Sequence, residues 1–369
     1  MKIALRLVLF TVVPTILAAE TYFVRADGGN AQQCTGKADV SYAGSGTAQS
    51  CAWSHPFWAL DTAGKWKMAG GDRLLISGSF MLGYGAPNTA WCSSNWPWDC
   101  HLPPVPSGPN SSQKTVIAGT GYASGCATKP ELWGTQRASA VLSADDAANF
   151  SFECLEITDH ESCIEHHTQG ARCKRDAFPY GNWAAVGISA AGARNAEFRN
   201  LDIHGMANRG ILGGAFENMT ASAVRVAGNG WSGWDFDVHR GTNSGNLILD
   251  RLLVEWNGCA EQWDAKGTYR HCWAQQQGGY GDGLGLGSST GNWIVRDSVF
   301  RYNTSDGFDA LYLGTVNNVA PSLLVERSRF EGNAGRRSLC QCRPRSRKYV
   351  SQDRGLLVPV ASPDFTFSH

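Results

Sequence analysis

Three aspartates stand at a spacing that could place carboxylates around one ion. Asp282 directly precedes Gly283, and 24 residues later Asp306 directly precedes Gly307, with Asp309 two residues beyond that glycine. Carboxylates brought close together repel, so they must share a proton, flank a cation or be held apart. Oxygen ligands without Cys or His favour calcium over zinc or copper. The three aspartates are therefore candidate calcium ligands, and the alternative is that Asp side chains before glycine cap turns.

The 24-residue spacing belongs to a longer repeat that would have to position these side chains. A glycine followed by a large apolar residue recurs at positions 187, 210, 233, 283 and 307, in steps of 23, 23, 50 and 24 residues. A fixed period of roughly 20 to 50 residues is the signature of a repeat architecture, in which each unit buries its apolar face against its neighbours.

Short segments between those glycines alternate between apolar and polar residues and end at Asn or Gly. They recur in the same register at residues 196–203, 223–226, 252–257, 298–303 and 328–333. Period two indicates strands closed by turns, and the spacing of three and four that helical repeats need is absent. We therefore predict an all-β chain folded as a right-handed parallel β-helix with loop insertions. Coils stacked about 4.8 Å apart would place Asp282 over Asp306 and Gly285 over Asp309, with Asp235 one coil below.

The doubled step of 50 residues indicates an insertion in one coil. Residues 258–281 separate the turn residue Asn257 from Asp282, whereas the equivalent gap in the next coil, between Asn303 and Asp306, is short. The inserted residues include two cysteines, at positions 259 and 272. Insertions on one face of a solenoid commonly wall a binding groove, so we expect a disulfide-tied wall here.

The N-terminus has the features of an export signal. A positively charged start precedes an apolar run over residues 7–17, which ends in Ala18 and Ala19. This pattern predicts a secretory signal peptide at residues 1–19, too short for a membrane span, with an N-terminal helix as the alternative. No other stretch is long and apolar enough to cross a membrane. We expect the mature chain to be secreted, periplasmic or extracellular.

Cysteine usage agrees with export, because an even set in an exported chain suggests disulfides. Of the twelve cysteines, ten precede residue 336. Nearest-neighbour pairing predicts five bonds: Cys34 with Cys51, Cys92 with Cys100, Cys163 with Cys173, Cys259 with Cys272, and Cys126 with Cys154. The alternative for one of these segments is a zinc site made of Cys163, His166, His167 and Cys173.

Composition limits the partners. Acidic and basic residues balance at 32 each, which gives no indication of a nucleic-acid or anionic-membrane partner. Glycine is abundant at 43 of 369 residues, as expected for a fold with a tight turn in every coil. Tryptophans such as Trp91, Trp96 and Trp98 could stack on sugar rings or could cap the ends of an open solenoid. We expect a monomer.

Two parts of the chain resemble known proteins. The opening strand near residue 21, the small helix carrying Trp58 and the strand introduced by Gly71 and Asp72 resemble the first coil of pectate-lyase-like β-helix proteins. The pair Asp282-Gly283-Leu284 and Ser305-Asp306-Gly307-Phe308-Asp309 resembles the calcium-binding motif of polysaccharide lyase family nine. In that motif an Asp-Gly-aromatic phrase is followed one coil later by Asp-Asp-Gly-aromatic-Asp.

The resemblance implies a metal site and a reaction. Asp282, Asp306 and Asp309 would be calcium ligands, and Ser305 would occupy the place of the fourth acid. Calcium between these ligands and the carboxylate of an acidic polysaccharide would acidify the neighbouring ring proton. A Lys or Arg would remove that proton, and β-elimination would follow without a hydrolytic water.

The base does not follow from the motif, because the family places a Lys one to two coils after the acids and this chain leaves the pattern first. Residues 336–369 are expected to be an irregular basic tail, disordered or produced by a shifted or truncated reading frame, in which Lys348 matches no motif. Arg301 and Arg327 are the base candidates, followed by Arg329 and Lys266. The alternative for each is an exposed charge on a strand or loop. If the true base is missing, the chain is inactive.

The sequence leaves two other functions open. A glycosidase on the same fold would use the same carboxylates as acid and base without a metal. A non-catalytic sugar-binding or surface protein would hold glycan through tryptophan. We expect early coils with disulfide-tied loops over residues 20–180 and regular coils over residues 181–335.

Overall fold

The computed structural model describes residues 19–237, 241–273, 280–310, 313–314, 316–334 and 356–359. The predicted signal peptide and most of the C-terminal tail lie outside this part of the chain. Within it the regular structure is almost entirely β, joined by three short 3-10 helices at Pro56–Ala59, Pro97–Asp99 and Tyr122–Ser124. No helix in these ranges is long and apolar enough to span a membrane.

The strands alternate buried and exposed side chains, as the sequence predicts. The first thirteen in chain order are β1 Thr21–Gly29, β2 Arg73–Ser77, β3 Ser79–Leu82, β4 Thr115–Gly119, β5 Glu131–Gly134, β6 Leu142–Ser143, β7 Ala148–Glu153, β8 Glu156–Asp159, β9 Val186–Ala191, β10 Arg194–Arg199, β11 Asp202–His204, β12 Arg209–Gly214 and β13 Glu217–Ser222. The others are β14 Arg225–Ala227, β15 Ser232–Asp235, β16 Ser244–Asp250, β17 Leu253–Glu255, β18 Ala260–Glu261, β19 Tyr269–Arg270, β20 Leu284–Gly285, β21 Asn292–Arg296, β22 Val299–Arg301, β23 Phe308–Asp309, β24 Ser322–Glu326, β25 Arg329–Glu331 and β26 Leu356–Pro359.

The strands form three long sheets. One has ten strands in the order β1-β2-β4-β7-β10-β13-β16-β21-β24-β26, one has eight in the order β25-β22-β17-β14-β11-β8-β5-β3, and one has six in the order β23-β20-β15-β12-β9-β6. Neighbouring strands within each sheet are parallel except β24 and β26. Successive strands of one sheet come from successive coils, so the chain is a right-handed parallel β-helix, and the predicted fold class is confirmed.

A single left-handed residue turns the chain from the ten-stranded to the eight-stranded sheet in each coil. The turning residues have φ between 44° and 55°: Cys154, Asn200, Ala223, Arg251, Asp297 and Arg327. One left-handed residue redirects a strand sharply without a loop. This corner is short in every one of these coils, so it leaves no room for a binding loop.

The next corner, between the eight-stranded and six-stranded sheets, holds a buried ladder of asparagines. The amide of Asn229 donates to the side-chain oxygen of Asn257 at 2.9 Å, Asn257 donates to Asn303 at 2.9 Å, and Asn303 donates to Asn333 at 2.9 Å. Asn229 and Asn257 are fully buried. Each amide therefore pairs with the coil above and the coil below, which satisfies polar groups that burial would otherwise penalise.

Long insertions leave the coils at this same corner. Residues 83–114 follow β3, residues 160–185 follow β8, and residues 256–283 follow β17. Each insertion is closed by one of the predicted disulfides, Cys92–Cys100, Cys163–Cys173 and Cys259–Cys272. The last of them contains the antiparallel hairpin of β18 and β19. The doubled step of 50 residues is therefore an insertion, as predicted.

All five predicted disulfide pairs are present, since Cys34–Cys51 and Cys126–Cys154 are also bonded. The zinc alternative for residues 163–173 was wrong, because both of its cysteines are used by their own disulfide. The core between the sheets is filled by large aromatic side chains, including Phe198, Trp234 and Trp293, which are fully buried.

Part of the C-terminal tail is regular. The strand β26 pairs antiparallel with β24, so it covers the last edge of the ten-stranded sheet over residues 322–325. A solenoid needs such a cover because its terminal coil otherwise exposes unpaired backbone groups. The prediction of a tail that is irregular throughout does not hold for residues 356–359.

We predict that Asn257→Ala destabilises the fold by roughly 2 to 4 kcal/mol, because it leaves buried amide groups of Asn229 and Asn303 without partners. Urea unfolding measures the change. The matched control is Asn292→Ala, whose amide lies on the exposed side of the ten-stranded sheet, 3.4 Å from Asn246. The control should change stability by about 0.5 kcal/mol or less. Equal effects of the two substitutions would contradict a structural role for the ladder.

Candidate functional site

The three predicted aspartates come together on the six-stranded sheet. The backbone N–H of Asp306 donates to a carboxylate oxygen of Asp282 at 2.9 Å, and the N–H of Gly283 donates to the carbonyl oxygen of Asp306 at 2.8 Å. Gly285 and Asp309 are register partners in adjacent strands, and Asp235 is the partner of Gly285 one coil below. The stacking derived from the period is therefore the stacking observed.

Asp282 is a buried acid with a perturbed titration. Its side chain is almost fully enclosed, at 3% exposure. Burial and then the charge of Asp309 raise the pKa of Asp282 to about 7, although hydrogen bonds from the Asp306 N–H and the Ser305 hydroxyl act in the opposite direction. Asp306 is also buried. The acids repel one another in a dry environment, a condition that a proton or a cation would relieve.

The donor set fits calcium in its chemistry. It consists of carboxylate and hydroxyl oxygens only, which are the ligands this ion prefers. One coil below Asp282 the buried hydroxyl of Ser232 has no hydrogen-bond partner in the described part of the chain, so a further oxygen is available beside the acids. The ligand oxygens of Asp282, Asp306 and Asp309 do not all lie within 4.8 Å of one another. Binding one ion through all three requires the side chains to close in.

Arg209 lies on the same sheet, two coils before Asp282, as the register partner of Ser232. Its Nε donates to Asp235 at 2.6 Å, and its guanidinium stands 4.8 Å from the ring centroid of Trp231. Asp235 is therefore neutralised by a neighbouring cation. The structural role expected for it agrees with this contact, and it is not a further ligand of the acidic cluster.

The two predicted bases lie outside the six-stranded sheet. Arg301 belongs to β22 of the eight-stranded sheet, where its guanidinium pairs with Glu255 at 2.8 Å. Arg327 occupies the left-handed corner after β24 and forms two hydrogen bonds with Asp297, at 2.7 and 2.8 Å. Hydrogen bonding to Asp297 raises the pKa of Arg327, which is the opposite of what a base requires.

The remaining candidates are also paired. Lys266, in the third insertion, lies 2.6 Å from Glu156 and 2.8 Å from Asp202. Arg329 lies 3.4 Å from Glu331 on the eight-stranded sheet. Neither side chain belongs to the sheet that carries the aspartates. The structure thus brings the predicted metal ligands together but not the predicted bases.

A second cluster of charged groups was not found from the sequence. Glu156, Asp202 and His204 have ligand atoms within 4.8 Å of one another. His204 is clamped between two carboxylates, with Nδ1 2.6 Å from Glu261 and Nε2 2.9 Å from Glu156. Burial alone would lower the pKa of His204, but the hydrogen bonds to Glu156 and Glu261 raise it to about 9. Both ring nitrogens therefore carry protons at neutral pH.

This charged cluster is not a metal site. A metal-bound histidine offers a lone pair, whereas both nitrogens of His204 point N–H groups at carboxylates. The carboxylates are further neutralised by the ammonium of Lys266 and by Arg225, whose guanidinium lies 2.8 Å from Asp202. The cluster ties the third insertion to strands β8 and β11 of earlier coils. It is a latch made of charged side chains.

A cavity of about 200 Å³ lies over the latch. Its lining residues are Glu131, Glu156, Thr158, Asp159, Glu161, His204, Gly205, Glu261, Gln262, Trp263 and Lys266. At its rim the ring of His160 is sandwiched between Trp133 and Trp263, with centroid distances of 3.9 and 3.6 Å. The outward polar residues at equivalent positions of β8, β11 and β14 were a signal in the repeat. Their partners in an aperiodic insertion could not be read from it.

We predict that the latch weakens as the pH rises. The folded-state pKa of His204 lies above its unfolded value, so its contribution is complete below about pH 6.5 and is lost as the pH passes about 9. The stability advantage of the wild type over His204→Gln should fall by roughly 2 to 3 kcal/mol between these limits. Urea unfolding at several pH values measures it, with His101→Gln as control. An advantage that stays constant with pH would contradict a charged His204.

Comparison with known proteins gives limited information. No family model matches the chain, and no curated protein matches it. Among solved structures, a rhamnogalacturonan lyase is similar at 14% identity and a TM-score of 0.47, over 86% of this chain and 75% of that chain. Pectate lyase Pel9A is similar at 15% identity and 0.43, over 86% and 71%. An alginate lyase from Paenibacillus sp. str. FPU-7 is similar at 12% identity and 0.43, over 72% and 70%. These likenesses concern the fold alone, which is the pectate-lyase-like right-handed parallel β-helix.

Proposed function

We propose that this chain is an exported β-helix protein that acts on an acidic polysaccharide by calcium-assisted β-elimination. The observation that carries the proposal is the stacking of Asp282 on Asp306, with Asp309 in register beside them, on one face of the solenoid. Buried carboxylates this close together destabilise one another unless a cation joins them. Such an arrangement is retained at a cost, which is typical of a functional site.

Four side chains would hold the ion: Asp282, Ser305, Asp306 and Asp309. When bound, calcium would withdraw charge from a uronate carboxylate and so acidify the proton on the neighbouring ring carbon. The protein's own contribution is to hold these oxygens in the strand register and to keep water from Asp282 and Asp306 by burial. Arg209 adds a positive charge on the same sheet, two coils away.

The base remains the open half of the site. Arg301 and Arg327 stay predictions for this role, and their ion pairs with Glu255 and Asp297 oppose it because they stabilise the protonated form. Removal of a proton by either arginine would require its pair to break. Arg301→Gln and Arg327→Gln variants therefore test the assignment directly, since a true base loses activity by about a hundredfold or more.

We predict that the mature chain binds one calcium ion and that Asp309→Asn and Asp306→Asn abolish binding in isothermal titration. Asp309 is only half-buried, so its variant should fold even if the variant of the buried Asp306 does not. The matched control is Asp297→Asn, an exposed acid paired with Arg327. On uronate polymers, binding should be accompanied by new ultraviolet absorbance from unsaturated ends. Absence of calcium binding in the wild type, or its persistence in both variants, would overturn the proposal.

One observation favours hydrolysis as the second candidate. The pKa of Asp282, raised to about 7 by burial and by the charge of Asp309, is suited to a general acid that is still protonated near neutrality. A hydrolase would release reducing ends without unsaturated products, and a chelator would leave its activity unchanged. Loss of activity with the chelator assigns the lyase instead.

A further inference from the structure

A second group of charges converges on one carboxylate beside the six-stranded sheet. Glu165, in the second insertion, is buried, and its oxygens lie 3.6 Å from Arg175, 4.0 Å from Arg137 and 3.8 Å from His166. Its only short side-chain contact in the described chain comes from the amide of Asn208, at 2.8 Å. Two guanidinium ions therefore face a single carboxylate, and neither of them is in hydrogen-bonding contact with it.

Arg137 and Arg175 have donors to spare. Within the described residues neither guanidinium forms a side-chain hydrogen bond, although each is less than one-third exposed. By comparison, Arg209 next to them is satisfied by Asp235 and by Asn208 at 2.6 and 2.7 Å. A guanidinium presents five N–H groups in a planar fork that matches a carboxylate. These two forks are therefore directed at water or at a ligand.

The positive charge of the group is in excess. Arg209 is balanced by Asp235, which leaves Arg137 and Arg175 against Glu165 alone. Burial lowers the pKa of His166, and the charges of Arg175, Arg209 and Arg137 lower it further against the opposing effect of Glu165. All three arginines are thus close enough to act on one imidazole. The field in this region attracts anions.

Aromatic faces border the same group. The guanidinium of Arg137 stands 5.1 Å from the ring centroid of Trp98 and 5.8 Å from that of Tyr180. Trp96, which packs edge-on against Trp98, is 59% exposed. Exposed aromatic rings beside charged donors suit a ligand with both a ring face and an anionic substituent. A uronic acid has both.

The group adjoins the acidic cluster. Arg209 is the register partner of Ser232, and Asp282 occupies the equivalent position one coil further on. Strands in neighbouring coils are about 4.8 Å apart, so the arginines lie roughly 10 Å or more from the aspartates along the axis of the solenoid. A single polymer chain laid along this face would meet the cations first and the acids next.

We propose that Arg137 and Arg175, bordered by Trp98 and Tyr180, form a subsite that binds the carboxylate of one uronate unit in the polymer. The subsite rests on the proposed function for its substrate class, but it binds without calcium. It holds the polymer on the N-terminal side of the acidic cluster. Neutral sugars lack the group that the two forks recognise, so they are excluded from it.

Isothermal titration in buffer with chelator and low salt tests the subsite. The probes are oligogalacturonate, oligomannuronate, their carboxyl-reduced neutral counterparts and inorganic sulfate. We expect at least one uronate oligomer to bind, and the Arg137→Gln/Arg175→Gln variant to bind it tenfold or more weakly. Arg329→Gln, which removes an exposed arginine on the eight-stranded sheet, should bind like the wild type. Glu165→Gln removes the opposing charge, keeps the contact with Asn208 and should bind more tightly.

Several results would overturn the subsite. They are the absence of uronate binding to the wild type, equal binding by the double variant, and equal binding of the neutral oligomers or of sulfate alone. The outcome is independent of calcium. Uronate binding that persists in chelator while calcium titration is silent removes the lyase proposal and keeps the subsite. Calcium binding without uronate binding in chelator does the reverse.

Discussion

The asparagine ladder and the glycines beside it are one constraint on which the rest of the fold depends. A Cβ atom on Gly210, Gly233, Gly283 or Gly307 would lie 2.5 to 2.8 Å from the amide nitrogen of the ladder asparagine in the following coil. No side chain fits in that space. The recurring glycine is therefore what allows each coil to settle onto the next with its asparagine paired. Asp282 and Asp306 directly precede two of these glycines, so the packing that closes the coil also stacks the acids.

Insertions are concentrated at the ladder corner because the opposite corner has no space for them. A single left-handed residue makes the turn between the ten-stranded and eight-stranded sheets, whereas three disulfide-closed loops leave the chain on the other side. The loops support one another. The backbone N–H of Trp263 in the third loop donates to Ser162 in the second, and Trp263 stacks on His160. Together they raise a wall along one side of the face that carries the aspartates.

Charge is distributed unevenly along that wall. On the eight-stranded side, the latch pairs nearly every charge: His204 with two glutamates, Lys266 with Glu156 and Asp202, and Arg301 with Glu255. On the six-stranded side the pairing is incomplete, with cations in excess around Glu165 and acids in excess around Asp282. Paired charges hold structure, and unpaired ones remain available for a ligand. The balanced total of 32 acidic and 32 basic residues conceals this separation.

The period of the sequence was sufficient for everything that repeats. In a solenoid each coil contacts only its neighbours, so a constant step determines register. The β-helix, the asparagine turns, the position of Asp282 over Asp306 and the insertion at residues 258–281 followed from it, and the five disulfides followed from spacing. What does not repeat was decided by the tertiary structure. Lys266 meets Glu156 across 110 residues, and Arg137, Glu165 and Arg209 come from three separate segments. Aperiodic loops find partners through charge and packing in three dimensions, and no interval along the chain records that choice.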